Sequence, residues 1–81
     1  MNLDVRLFAR ARDVVGSERV EMELPKECRV GDLRHALAQR FPELAPLVPS
    51  LLIAVGNDYA DDSRQLTPDA QVACFPPVSG G

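Results

Sequence analysis

The chain has 81 residues, 46% hydrophobic and 26% charged; that is enough for one small core and too little for two domains or a roomy internal cavity, since a domain of this size buries only about 60–65% of the surface its unfolded chain exposes. A formal charge of −3, with 9 basic residues that form no run, excludes a nucleic-acid binder held by phosphate neutralisation. No stretch approaches the ~20 apolar residues of a membrane span, and Asp4 stands where a signal peptide has its basic start, so the expected location is cytoplasmic.

From Leu3 to Ala9, Leu3, Val5, Leu7 and Ala9 alternate with Asp4, Arg6, Phe8 and Arg10, the period of a half-buried strand. Phe8 is the exception, an aromatic ring on the face otherwise given to charge. ARDVVG predicts a short turn or a single helical turn closed by Gly16. Val20, Met22 and Leu24 against Glu21 and Glu23 give a second strand that stops at Pro25, and so short a connection favours an antiparallel hairpin.

In RVGDLRHALAQRFP the period changes: Val30, Leu33, Ala36, Leu37, Ala38 and Phe41 recur at three- and four-residue steps and predict the one clear amphipathic helix. Asp32 suits its positive N-terminal end and Arg40 its negative C-terminal end, while Pro42 forbids continuation. His35 falls on its outer face. Pro42, Pro46 and Pro49 then predict a loop.

LLIAVGNDYADD reads as a strand from Leu51 or Leu52 to Val55, a tight turn at Gly56-Asn57-Asp58, and a short edge segment near Tyr59. Thr67-Pro68-Asp69 is another turn. Gln71 to Phe75 is the last strand, with Val72 and Cys74 on one face and Ala73 and Phe75 on the other, ended by Pro76 and Pro77 because neither can donate to a sheet ladder. One amphipathic helix covers one face of such a sheet, leaving the other to water or a partner. Phe8 and Phe75 fall on that open face, and if the first and last strands pair, the two rings meet and Tyr59 joins them. Ordinary sheet packing explains such rings as readily as binding does; a contiguous aromatic patch on a small domain marks an interface, and the neighbouring tail favours that reading.

Pro76 and Pro77 hold the backbone extended. Beyond Val78 and Ser79, Gly80 and Gly81 have no Cβ to collide with the walls of a narrow channel. The group such a tail presents is the carboxylate of Gly81, a poor acyl donor until ATP activates it; as an acyl-adenylate it can accept sulfur as a thiocarboxylate, or an amine as an amide.

The order of elements, the opening VRLFARARDVVG, the helix VGDLRHALAQRFP, the stretch LLIAVGNDY and above all the ending QVACFPPVSGG resemble the small subunits of molybdopterin synthase, members of the ubiquitin-like β-grasp sulfur carriers. The similarity runs over nearly the whole chain, and FPPVSGG is its most specific part. It implies an α+β fold: a ubiquitin-like β-grasp domain over residues 1–75, with a mixed sheet of four to five strands and one main helix packed on one face, followed by a flexible tail over 76–81. It also implies that an activating enzyme adenylates Gly81 with ATP, that a sulfur donor converts it to a thiocarboxylate, and that the tail enters the large catalytic subunit of the synthase. There the sulfur passes to a pyranopterin precursor, building the dithiolene of the molybdenum cofactor. A heterotetramer is implied, with Phe8, Tyr59 and Phe75 facing the partner, and a sulfur-donor subunit with no bound cofactor and no active site of its own. Arg29, where relatives often carry a capping Ser or Thr, and Ala70, where an acidic residue is common, depart from the pattern.

Three other readings remain open. Within the fold, the chain could carry sulfur for thiamin or tRNA thiolation, or be a modifier conjugated through Gly81; outside it, it could be a non-catalytic interaction module. A stand-alone enzyme finds little support. Asp58, Asp61 and Asp62 cluster in what reads as a solvated turn, and Cys74 lies on the core side of its strand as an inert thiol. Cys28, Cys74 and His35 lack any metal-ligand spacing, so no metal is expected.

Overall fold

The computed structural model describes residues 1–77. Leu3, Val5 and Leu7 are buried and their neighbours exposed along strand β1 (Asn2–Leu7), which pairs antiparallel with β2 (Arg19–Glu23) in the register Leu3↔Met22, Val5↔Val20. The expected continuation of the first strand to Ala9 does not occur. Phe8 is the last extended residue, with φ −123°, and Ala9 takes the left-handed φ of 52°, which swings it out to solvent.

Helix α1 (Ala9–Val15) follows. At seven residues it is longer than the single turn expected from ARDVVG. The extra turn is stabilised tertiarily: Ala11 is fully buried and Val14 and Val15 pack against the core. Local capping contributes nothing at its start, since Phe8 makes no side-chain cap and the first turn holds no acid. Its end is as predicted, with Gly16 at φ 84° donating its N–H to Arg12 O at 2.7 Å, a left-handed closure that glycine makes without steric cost.

The main helix, α2 (Val30–Arg40), buries Val30, Leu33 and Leu37. Half of a capping box starts it: the Arg29 N–H donates to Asp32 Oδ2 at 2.8 Å. The other half is closed to arginine, which has no acceptor, and the Arg29 side chain donates instead to Ser63 O at 3.0 Å. The proline-rich stretch after α2 is more ordered than a plain loop. It folds as successive turns into a 3-10 turn (Val48–Ser50) and sends Leu44 and Val48 into the core.

Strand β4 (Leu52–Val55) turns at Gly56, φ 64°, into the two-residue edge strand β5 (Asp58–Tyr59). Strand β7 (Val72–Phe75) lies between β1 and β4, parallel to the first and antiparallel to the second. The sheet order is β2-β1-β7-β4-β5. Two two-residue strands, β3 (Cys28–Arg29) and β6 (Gln65–Leu66), form a separate antiparallel ladder that the hydropathy pattern does not reveal.

Arg34, 18% exposed at its side chain, ties these parts together. Its Nη1 donates to Val48 O at 2.6 Å and Leu51 O at 2.9 Å, and its Nε to Asp62 Oδ1 at 3.0 Å. One guanidinium thereby joins α2, the 3-10 turn and the loop before β6. The result is a mixed five-stranded sheet with its main helix on one face, as the sequence predicts.

Candidate functional site

The alternation that buries Val72, Cys74, Ile53 and Val55 sends Ala73, Phe75, Leu52 and Ala54 to the opposite face. Register then brings them side by side: Leu52 stands opposite Phe75, and Ala54 opposite both Ala73 and Tyr59. Phe8 arrives from the end of β1, held by its N–H donating to Cys74 O at 3.2 Å. The rings of Phe8 and Phe75 stack with centroids 4.6 Å apart and 12° between planes. Tyr59 meets Phe75 edge-on at 6.3 Å. The three aromatic residues singled out in the sequence are thus brought together.

This cluster is wet in the isolated chain. Phe8 is 37%, Leu52 39% and Tyr59 71% exposed, and they are the large exposed hydrophobics of the described residues. Leu52 is the member the sequence reading missed. Its signal was present in LLIAV, where a strand burying Ile53 and Val55 must turn Leu52 and Ala54 outward.

Phe75, at the centre of the patch, is also the last residue of β7. Pro76, half-buried, and Pro77, exposed, follow at once. The patch and the start of the tail are therefore one covalent unit. The remaining tail residues, Val78, Ser79, Gly80 and Gly81, lie outside the described residues.

Cys74 is fully buried on the helix side of β7, and burial pushes its thiol up to about 12, against a smaller opposing pull from Arg34. It stays protonated and unreactive at neutral pH. The Cys28 thiol is also raised, first by burial and then by Asp32. In the acidic loop, Asp61 accepts from the Ser63 hydroxyl and N–H, and these bonds, the hydroxyl first, hold its carboxyl below the usual range. Asp62 is engaged by Arg34. These carboxylates shape a loop and are not set out as an acid–base pair. Among the described residues no group of three or more His, Cys, Asp or Glu is placed to hold a metal ion, and no helix is long and apolar enough to cross a membrane.

A mixed sheet gripping one long helix, with its last strand central and an apolar patch on part of its outer face, defines a ubiquitin-like β-grasp domain. Solved structures of that kind superpose over 96% or more of the chain. SAMP1 from Haloferax volcanii does so with a TM-score of 0.86 at 26% identity, covering 100% of both chains. The putative molybdopterin converting factor subunit 1 from Pyrococcus furiosus has a TM-score of 0.85 at 29% identity, over 96% of this chain and 99% of that one. The complex of subunits 1 and 2 of the molybdopterin-converting factor from Helicobacter pylori contains the same fold, with a TM-score of 0.70 at 23% identity and 100% coverage of both chains. Among sequences, the molybdopterin synthase sulfur carrier subunit of Drosophila yakuba is 32% identical over 100% of this chain and 92% of its own length. The ThiS family model matches residues 5–81, and the chain belongs to the ThiS family.

Proposed function

We propose that this chain is the sulfur carrier of a molybdopterin synthase: the Gly81 carboxylate is adenylated by an ATP-dependent activating enzyme, converted to a thiocarboxylate, and delivered into the large catalytic subunit, where its sulfur passes to a pyranopterin precursor. Adenylation replaces a bad leaving group, oxide, by AMP, and a sulfur nucleophile then displaces AMP. The observation that carries this reading is the continuity of patch and tail. Phe75 sits in the stacked cluster with Phe8 and Tyr59 and is followed directly by Pro76 and Pro77. Docking the patch on a partner therefore fixes where a stiff proline leash begins. Relatives that carry the name of sulfur carrier subunit align along this whole chain, which supports the same assignment.

The partner that fits the patch is the large synthase subunit, by analogy with the two-subunit complex from H. pylori. A second reading, a protein modifier conjugated through Gly81, is favoured by the likeness to the small archaeal modifier protein 1 of H. volcanii. Both readings use the same activated terminus and differ in the acceptor.

Deletion of Gly81 tests the tail. It should abolish sulfur transfer to the precursor while leaving thermal unfolding almost unchanged; full transfer by the shortened chain would refute the reading. Intact mass after coexpression with the activating enzyme should show one oxygen exchanged for sulfur, and covalent adducts of other proteins at Gly81 would favour the modifier.

A further inference from the structure

The outer face of the sheet is divided. Beyond the apolar patch on β7, β4 and β5, the outward positions of β1 and β2 carry charge, and like charge stands opposite like: Arg6 faces Arg19, and Asp4 faces Glu21. The ladder makes these pairings close. The Leu7 N–H donates to Glu18 O at 2.9 Å and the Leu24 N–H to Met1 O at 2.8 Å, so in this register the odd-numbered residues of β1 occupy the hydrogen-bonded pairs. Arg6–Arg19 and Asp4–Glu21 are then non-hydrogen-bonded pairs, in which the side chains of an antiparallel ladder come nearest. Like charges there are destabilising, and the ion pairs found among the described residues, Arg12–Asp13 and Arg34–Asp62, relieve neither.

These four side chains, with Asp69 from the turn before β7, line one groove of about 540 Å³. Its two ends are opposite in sign: a cationic band at Arg6 and Arg19, and an anionic band at Asp4, Glu21 and Asp69. Arg6 stands beside Ala73 in the register of β1 and β7, so the cationic band borders the apolar patch.

We propose that this groove is the polar flank of the docking surface and receives a segment of the large synthase subunit that sets a carboxylate against Arg6 and Arg19 and a basic side chain against Asp4, Glu21 and Asp69. The inference rests on the proposed function for the identity of the partner. The free chain keeps two like-charge pairs that a complementary partner relieves, which favours the cognate subunit and opposes one of the wrong polarity. An apolar patch alone does not provide that discrimination. Arg6 and Arg19 are thus specificity residues for the complex.

The test uses the full chain and the purified large subunit encoded in the same genome, with titration calorimetry and stopped-flow association at low and at physiological ionic strength. The double variant Arg6→Gln, Arg19→Gln should weaken binding by about 10-fold, mainly in the association rate, and lose most of its salt dependence. Arg19→Glu places a carboxylate opposite Arg6; it should raise the thermal midpoint of the free domain by about 1–5 °C while weakening binding by more than about 10-fold. Arg64→Gln, exposed on a loop away from the groove, serves as control. Unchanged affinity in the double variant overturns the proposal, and so does a lowered midpoint for Arg19→Glu. Self-association of the free chain that the double variant loses would assign the groove to a second copy, and overturns it too. If Tyr59→Ala weakens the complex and the arginine variants do not, this inference alone fails; if the native chain does not bind the large subunit, the functional reading fails with it.

Discussion

Replacing Tyr59 by alanine separates docking from folding better than any other change on the patch. The side chain is 71% exposed in the isolated domain, and its main contact in the patch is the edge of the Phe75 ring at 6.3 Å. One solvated aromatic pair is worth about 0.5 kcal/mol, so urea denaturation should register a loss near that size. Binding has far more to lose. An aromatic side chain buries 150–250 Å² when fully covered, so the exposed share of Tyr59 offers a partner about 140 Å². At about 25 cal/mol per Å² the upper limit is about 3.5 kcal/mol. The retained Cβ and the polar phenol end reduce this to about 2 kcal/mol, a rise of about 30-fold in Kd. Calorimetric titration of the large subunit with the native chain and with Tyr59→Ala measures it. A Kd within about threefold of native, or a folding loss equal to the binding loss, would refute the assignment of this face to a partner.

Phe75→Ala removes the centre of the same cluster; it should cost folding about 1–2 kcal/mol, because the ring is half-buried against Phe8, and binding about 2–4 kcal/mol, because it is the patch's middle anchor. The reverse ranking would make Phe75 a core residue. Arg34→Ala takes its donor from Leu51 O and one of two donors from Val48 O, which keeps the Leu51 N–H, and should destabilise by about 1–3 kcal/mol. Arg34→Lys, lacking the planar fork, should recover only part of that loss in the same unfolding assay. Cys74 gives a pH prediction: its folded thiol is raised to about 12 from 9.0, so between those values the unfolded chain loses the proton first and native stability falls as pH rises, by up to about 1.4 kcal/mol per pH unit. Urea titrations should therefore show the native chain losing stability faster than Cys74→Val above pH 9.0, and parallel curves would reject the buried protonated thiol.

Strands β1, β2, β4 and β7 and helix α2 were legible because each states its buried face in its own period, two for Leu3-Val5-Leu7 and near 3.6 for Val30-Leu33-Leu37. The features that escaped have no period to read. Helix α1 depends on Ala11 meeting the sheet, a contact between segments that nothing in ARARDVV announces. Strands β3 and β6, at two residues each, are too short for alternation, and their pairing Cys28↔Leu66 joins segments far apart in sequence. In the proline-rich stretch the ring count argued for a loop; Leu44 and Val48 nonetheless reach the core, because Arg34 gathers the turn's carbonyls from the side of α2. The aromatic patch was foreseen because one-sided coverage of a sheet leaves a face, and Phe8 and Phe75 could only be on it. Leu52 was missed because Leu51 to Val55 is a continuous apolar run, in which hydropathy does not show which alternate residues face outward.

The same pairing logic links the fold to its use. With β7 held between β1 and β4, the chain's exit at Pro76 has ladders on both sides just before it: Leu7 opposite Cys74 on one, Leu52 opposite Phe75 on the other. The exit therefore cannot shift without breaking backbone bonds in both ladders. An edge strand would have left it free on one side. A partner that seats Phe8, Leu52, Tyr59 and Phe75 consequently fixes the position from which the two prolines lead away, and the entropy of positioning is met largely by folding before the partner arrives. Weakening the ladder at its centre should therefore disturb the seating of Pro76 and Pro77 more than its length in residues would suggest, and placing the last strand in the middle of the sheet gives a small domain a rigid starting point for the segment that follows.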